Sequence, residues 1–144
     1  MTRQFCTFFV GEDYYGVDVL DVQEVVRPHP MTRVPLSHPA VRGLINLRGQ
    51  IVTAIDLRRC LDLHDDFANG ESVNVVIRTD DGAVSLLVDE IGDVLDMDES
   101  QFELPPPTLQ GKARELIQGV YKLPDRLLLI LDPKRAVTIP VASV

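Results

Sequence analysis

The sequence predicts a mainly β protein made of two copies of one small strand-rich unit, each copy closing into a barrel. Three observations carry this. Residues 43–61 lie over residues 119–137 without a gap, so that Gly43 meets Gly119, Ile51 meets Leu127, Ile55 meets Leu131, Asp56 meets Asp132 and Arg58-Arg59 meets Lys134-Arg135. Apolar residues alternate between turn signals through most of both halves, the period of a half-buried strand. Each half alone, at roughly 70 residues, is too small for a secure core, and strand-rich units of that size avoid exposed edges best by curling, for which about five or six strands suffice. The expected organisation is one domain over residues 1–144, with a first subdomain over about residues 1–67 and a second over about 68–144.

From the N-terminus, a first hairpin turns near Gly11-Glu12-Asp13, and its counterpart turns at Asp80-Asp81-Gly82, where Gly and Asp tolerate positive φ. Around Leu20 to Val26 the apolar spacing shifts towards three and four, which predicts one helical turn between two strands. Ser37-His38-Pro39 can open a second short turn, with Gly43 ending it. Strands at Ile51–Ile55 and Leu127–Leu131 run into Asp56 and Asp132. Each aspartate is placed to accept from the first free N–H groups of a short helix, and Pro133 takes the first helical position that proline favours. A weaker match pairs Val19–Val25 with Val88–Val94, at a spacing of 69 residues where the first match has 76. The second half therefore carries a longer connection, and Pro105-Pro106-Pro107 with Gly111 mark it as an extended loop.

With 45% hydrophobic and 25% charged residues the chain has the apolar content of a folded protein. Its net charge of −8 repels nucleic-acid phosphates and anionic lipid, which excludes both as partners. No apolar run approaches the roughly 20 residues that span a bilayer, and Phe5 to Val10 is too short for a secretory signal, so a cytoplasmic protein is expected. Cys6 and Cys60 have no ligand at metal spacing and read as buried thiols; His29, His38 and His64 are scattered through loop-like sequence. Gly111-Lys112 lacks the rest of a phosphate loop, and Asp96-Met97-Asp98-Glu99 lacks the glycine and distal Glu of a calcium loop; Asp98 with Gln101 fits a capping pair instead. No serine sits in a nucleophile elbow. Asp56 and Asp132 are the one carboxylate pair that acid–base chemistry could use, and capping accounts for both. Neither a catalytic residue nor a cofactor or metal is expected.

What is left suits binding. Val22, Val25 and Val26 crowd the expected helical turn beside Glu24, while Arg42, Arg48, Arg58 and Arg59 give the first copy cations in an acidic whole. Arg58 and Arg59 read as solvated residues of a helix. Arg48 lies between Leu47 and Gly49 in a tight turn, where a long cation either bridges local carbonyls or faces a partner, and both readings stand open.

Three stretches together, Tyr15-Gly16-Val17-Asp18-Val19-Leu20-Asp21-Val22-Gln23-Glu24-Val25, Gly43-Leu44-Ile45-Asn46-Leu47-Arg48-Gly49 with Ile55-Asp56-Leu57-Arg58, and Leu86-Leu87-Val88-Asp89, resemble the CheW-like coupling proteins of bacterial chemotaxis. The resemblance covers about residues 4–138 and includes Pro105-Pro106-Pro107 and Gly119-Val120-Tyr121-Lys122. It implies two SH3-like five-stranded β-barrel subdomains, open to strand exchange across the boundary near residue 68. It also implies a non-enzymatic adaptor that couples the cytoplasmic tips of methyl-accepting chemoreceptors to a histidine autokinase, docking on the kinase's CheW-like regulatory domain. Such an adaptor works in the cytoplasm at membrane-bound receptor arrays without inserting into the membrane. Positions matching the receptor-facing surface of related proteins are Val22, Glu24, Arg42, Gly43 and Arg48; the kinase side docks through hydrophobic barrel edges that carry no residue assignment.

Two alternatives stand beside this reading. One is a regulatory domain of a larger kinase or receiver fusion, against which Met1 at the start and Val144 soon after the last helix speak. The other is an adaptor in a non-swimming chemosensory pathway. Thr53 replaces a proline common in the family, and Pro28-His29-Pro30 stiffens a region often less proline-rich; neither touches the fold expectation. The copies differ where Asn46-Leu47-Arg48-Gly49 becomes Lys122-Leu123-Pro124-Asp125, which places the receptor-facing expectation on the first copy.

Overall fold

The computed structural model describes residues 1–35, 39–61, 72–80, 82–109 and 111–142, which form ten strands in two five-stranded sheets. The strands are β1 (Thr2–Val10), β2 (Asp13–Asp18), β3 (Val22–Val26), β4 (Val41–Leu47), β5 (Gln50–Asp56), β6 (Val73–Thr79), β7 (Gly82–Val88), β8 (Glu90–Asp98), β9 (Ile117–Lys122) and β10 (Leu127–Leu131). Short helices α1 (Leu57–Cys60), α2 (Lys112–Leu116) and α3 (Pro133–Ala142) join them. The mainly β class with two five-stranded sheets is the one the sequence predicts.

Under the internal repeat β1 to β5 correspond in order to β6 to β10. The sheet orders, β8-β1-β2-β10-β9 and β3-β6-β7-β5-β4, interconvert term by term under that correspondence. The exchange is reciprocal: each sheet combines the first hairpin of one half with the last three strands of the other. Each exchanged hairpin is joined to the other half on both sides, by an antiparallel pair (β1–β8, β3–β6) and a parallel pair (β2–β10, β5–β7); the pairs within each half run antiparallel.

Alternation along the strands sorts side chains into three cores. Phe5 of β1, Tyr14 of β2, Tyr121 of β9 and Leu128 and Ile130 of β10 fill the interior of the first sheet, closed by Leu95 and Met97 of β8. Ile45, Val52, Val76 and Leu87, with Val26, fill the second. The intervening residues Phe8, Val10, Tyr15, Val17, Leu129 and Leu131 face across to Ile55, Val75, Ile77, Val84, Leu86 and Val88, welding the sheets together. Each sheet thus curls around its own core and lays its other face on the partner sheet. Strands apolar on both faces, such as Leu-Leu-Leu-Ile-Leu of β10, read as continuous apolar runs for this reason.

The repeated glycine and aspartate have repeated causes. A Cβ at Gly43 would sit 2.6 Å from the Thr32 carbonyl oxygen, because Thr32 and Leu44 exchange backbone hydrogen bonds of 2.9 and 2.8 Å across that point. A Cβ at Gly119 would sit 2.5 Å from the Glu103 carbonyl oxygen, where Glu103 and Val120 make the same exchange at 2.9 and 2.8 Å. In both copies the connecting segment can bridge onto the strand only over a residue without a side chain. Asp56 then caps α1 through Arg58 N (3.0 Å), and Asp132 caps α3 through Lys134 N (3.1 Å), with Pro133 at the first helical position.

Two local expectations need correction. The helical turn expected over Leu20 to Val26 is confined to a 3-10 turn at Val19–Asp21, and Val22–Val26 is strand β3. Gly43 does not end a turn but lies buried inside β4; Ser37 and His38 fall outside the described residues, and a turn is present at Pro39 and Ala40. Asp98 caps a 3-10 turn at Glu99–Gln101 through Ser100 N (2.9 Å), and the first hairpin turns at Gly11-Glu12; of the turn expected at Asp80-Asp81-Gly82, Asp81 lies outside the described residues.

Candidate functional site

β3 and β4 are the two edges of the second sheet, so neither is the other's ladder neighbour. Arg48, in the two-residue turn between β4 and β5, crosses that seam. Its Nη2 and Nη1 donate to Glu24 Oε1 and Oε2 of β3 at 2.7 and 3.0 Å. Arg48 has φ 53° and Gly49 φ 87°, two successive positive values that match the hairpin turn to the strand twist. Among the described residues Arg48 is the one non-glycine residue with positive φ, a conformation costing about 1 kcal/mol that a glycine or asparagine would adopt more easily. The Arg48 side chain remains 74% exposed and that of Glu24 19% exposed, so the pair presents a fixed cation to solvent. Neither sequence reading of Arg48 named this partner: Arg48 bridges a carboxylate across the seam and not local carbonyls.

Val22 sits at the start of β3, half-buried against the core between the sheets. Glu24 and Arg48 are joined across the seam, and Val22 shares β3 with Glu24, separated from it by a bulge. Arg42 and Gly43 enter at the opposite end of β4 from Arg48, on the order of 20 Å away along the strand. Arg42 there pairs with Asp56 (Nη1 to Oδ2, 3.4 Å), whose side chain is 1% exposed. Burial pushes the Asp56 carboxyl above the ordinary carboxylate range, against the opposing pull of the Arg58 N–H and the charges of Arg42 and Arg59.

Arg58 departs from the sequence reading. Its side chain is only 12% exposed, and its Nε and Nη2 bind Asp89 at 2.9 and 2.5 Å. Asp89 also accepts from Gly11 N (2.7 Å), and its own N donates to the Phe9 carbonyl (3.0 Å). This one carboxylate therefore ties the β1–β2 hairpin to α1, and so one sheet to the other. Arg59 is exposed, as expected.

The remaining chemistry-bearing residues have structural employment. Asp56 and Asp132 are helix caps, and His29 Nδ1 contacts the Arg27 carbonyl at 2.9 Å; His38 and His64 lie outside the described residues. Cys60 is buried, its Sγ 3.5 Å from the Ala136 carbonyl oxygen. Cys6, expected to be buried, is half-exposed, and desolvation followed by the Asp18 charge raises its thiol pKa. Among the described residues no three His, Cys, Asp or Glu side chains form a group able to hold a metal, and no helix is long and apolar enough to cross a membrane.

Two strand-exchanged five-stranded sheets welded into one body define the mainly β, two-barrel class to which this protein belongs. The chain belongs to the CheW-like domain family, whose family model matches residues 4–140. It is 34% identical to the chemotaxis protein CheW of Bacillus subtilis over 90% of this chain and 83% of that protein. It is 32% identical to the CheW of Thermotoga maritima, over 88% and 82% respectively. The crystal structure of the scaffolding protein TtCheW from Thermoanaerobacter tengcongensis superposes with a TM-score of 0.87 at 27% identity, covering 100% of this chain and 98% of that one.

Proposed function

We propose that this protein is a non-enzymatic adaptor of chemotaxis signal transduction, coupling chemoreceptor tips to a histidine autokinase, with the seam between β3 and β4 as its receptor-facing surface. The observation that carries the receptor side is Arg48. A non-glycine residue is kept in a costly backbone conformation, and its guanidinium is held in place by Glu24 yet left mostly exposed. Strain retained without a folding reason marks a functional position. Val22 contributes apolar surface beside this pair. Arg42 extends the face along β4, and Gly43 serves it indirectly by letting the Met31-Thr32 segment bridge onto the strand.

The kinase side falls to the second copy. Ile91 and Val94, exposed on the edge strand β8, supply apolar surface that a CheW-like regulatory domain would cover. A face of roughly 800 Å² per partner is usual for stable association, and two sheets have room for two. Coupling then means that receptor and kinase each shift the other's preferred arrangement through one shared body, by a reciprocal free energy of about 1–3 kcal/mol. Working at receptor arrays from the cytoplasmic side requires no inserted segment.

Co-sedimentation with receptor signalling tips and kinase tests the proposal. The native protein should enter the pellet with both, and failure to bind either partner would overturn it.

A further inference from the structure

The two copies share a capping aspartate but use it differently. In the second, Asp132 Oδ1 accepts from Lys134 N (3.1 Å) and Arg135 N (3.3 Å), its Oδ2 lies 3.6 Å from Arg135 Nε of its own helix, its side chain is 21% exposed, and the strand position matching Arg42 is Gln118. In the first, Asp56 Oδ1 accepts from Arg58 N (3.0 Å) while Oδ2 faces Arg42 Nη1 (3.4 Å). The backbone setting is the same, since Asp56 N donates to Ala40 O at 2.7 Å and Asp132 N to Leu116 O at 2.8 Å. Capping and strand–helix connection therefore need neither a fully buried carboxylate nor an arginine reaching it from the neighbouring strand. Burying an anion is costly unless it gains something else. What the first copy gains is a fixed Arg42.

We propose that Asp56 is a positioning residue for receptor binding: its Oδ1 caps α1, while its buried Oδ2 anchors the Arg42 guanidinium on the receptor-facing side of β4. Burial raises the pKa of this carboxyl against the opposing charge of Arg42, so the anion is held there at a cost. The inference rests on the receptor reading given above. It adds a residue that does not itself touch the receptor.

Asp56→Asn separates the two jobs, because the amide oxygen still caps but carries no charge for Arg42. Receptor-tip binding is measured by co-sedimentation titration for the native protein, Asp56→Asn, Arg42→Ala, the double variant and Asp132→Asn. Asp56→Asn should weaken binding roughly three- to tenfold, as Arg42→Ala does. The double variant should be no weaker than Arg42→Ala alone, because the two residues act as one unit. Asp132→Asn should bind as the native protein, and none of these variants should alter binding to the kinase regulatory domain. If Asp56→Asn fails to fold, Asp56→Ser, which caps without reaching Arg42, takes its place. Arg42→Ala weakening binding while the Asp56 variant binds normally, or additive losses in the double variant, would overturn the positioning role alone. Native-like binding by both Arg42→Ala and Arg48→Glu would overturn the receptor face itself.

Discussion

Arg48 and Glu24 form a bidentate ion pair, at 2.7 and 3.0 Å, between the two strands that end the second sheet on opposite sides. The pair spans the seam that backbone hydrogen bonds leave open there. Its contribution to stability is nonetheless small: an ion pair with one partner 74% exposed is screened by water and is worth about 0–1 kcal/mol. Against that stands a backbone cost of about 1 kcal/mol for an arginine at φ 53°. Folding has little reason to prefer arginine here.

Arg48→Gly should accordingly leave stability unchanged or raise it by up to about 1 kcal/mol, since glycine adopts the turn freely. The same variant should lose receptor binding. Urea denaturation and receptor co-sedimentation on one preparation check both halves, and a marked destabilisation would show that the ion pair serves the fold.

Charge reversal separates the two arginines that sequence reasoning treated differently. Arg48→Glu places a like charge against Glu24 at the seam and should weaken receptor coupling more than Arg59→Glu on the exposed face of α1. Equal receptor binding by both, with intact circular dichroism, would remove Arg48 from the site.

Gly43→Ala and Gly119→Ala should each destabilise by about 1–3 kcal/mol, because the added methyl meets a backbone carbonyl oxygen at 2.6 or 2.5 Å in a bridged segment that cannot easily yield. Gly119 has the harder case, with the Phe102 ring 2.2 Å from the new carbon. Gly82→Ala meets no atom within 4 Å and carries only its φ of 116° as a penalty. Denaturation midpoints that rank Gly82→Ala as the worst of the three would contradict the close-approach argument.

Asp89→Ala should destabilise by about 1–3 kcal/mol, for it removes both the ion pair with Arg58 and the acceptor of the Gly11 N–H. Hydrogen exchange should then show the β1–β2 hairpin losing protection before the second sheet does. Uniform loss across both sheets would argue that Asp89 does not act as the tie between them.

Much of this was legible in the sequence because the repeat records local constraints. A glycine needed for close approach and an aspartate needed for a cap recur wherever the backbone recurs. What alternation does not record is which strand lies alongside, so the reciprocal exchange of hairpins becomes visible only in the sheet orders. β3 was misread for a specific reason. A bulge between Val22 and Glu24 shifts the strand's parity, so Val22 faces the core between the sheets and Val26 the interior of its own sheet, and the valines acquire a helix-like spacing. Arg58 looked solvated because its partner Asp89 lies 31 residues further on. Of the five receptor-face candidates, Glu24 and Arg48 are joined by one ion pair, Val22 packs against the core between the sheets, and Arg42 pairs with Asp56, a residue that sequence reasoning read as a cap.

Acid should reveal Asp56 through the sign of its effect. Burial raises its folded-state pKa above the ordinary 3.8, so the folded protein holds this proton more tightly than the unfolded chain does. The stabilisation linked to it is complete below the ordinary value and is lost as pH rises through the raised one. Other carboxylates act the opposite way. Asp98 is held below its ordinary value by the backbone N–H and then the hydroxyl of Ser100, and total stability falls in acid as such groups are protonated. The difference between the native protein and Asp56→Asn removes that background. Across the window from the raised value down to about 3.8, native stability should improve relative to the asparagine variant, and above the window the difference should level off. Urea denaturation of both proteins at half-unit pH steps measures it, and a difference independent of pH, or one favouring the variant as pH falls, would mean that Asp56 is not the desolvated anion its burial implies.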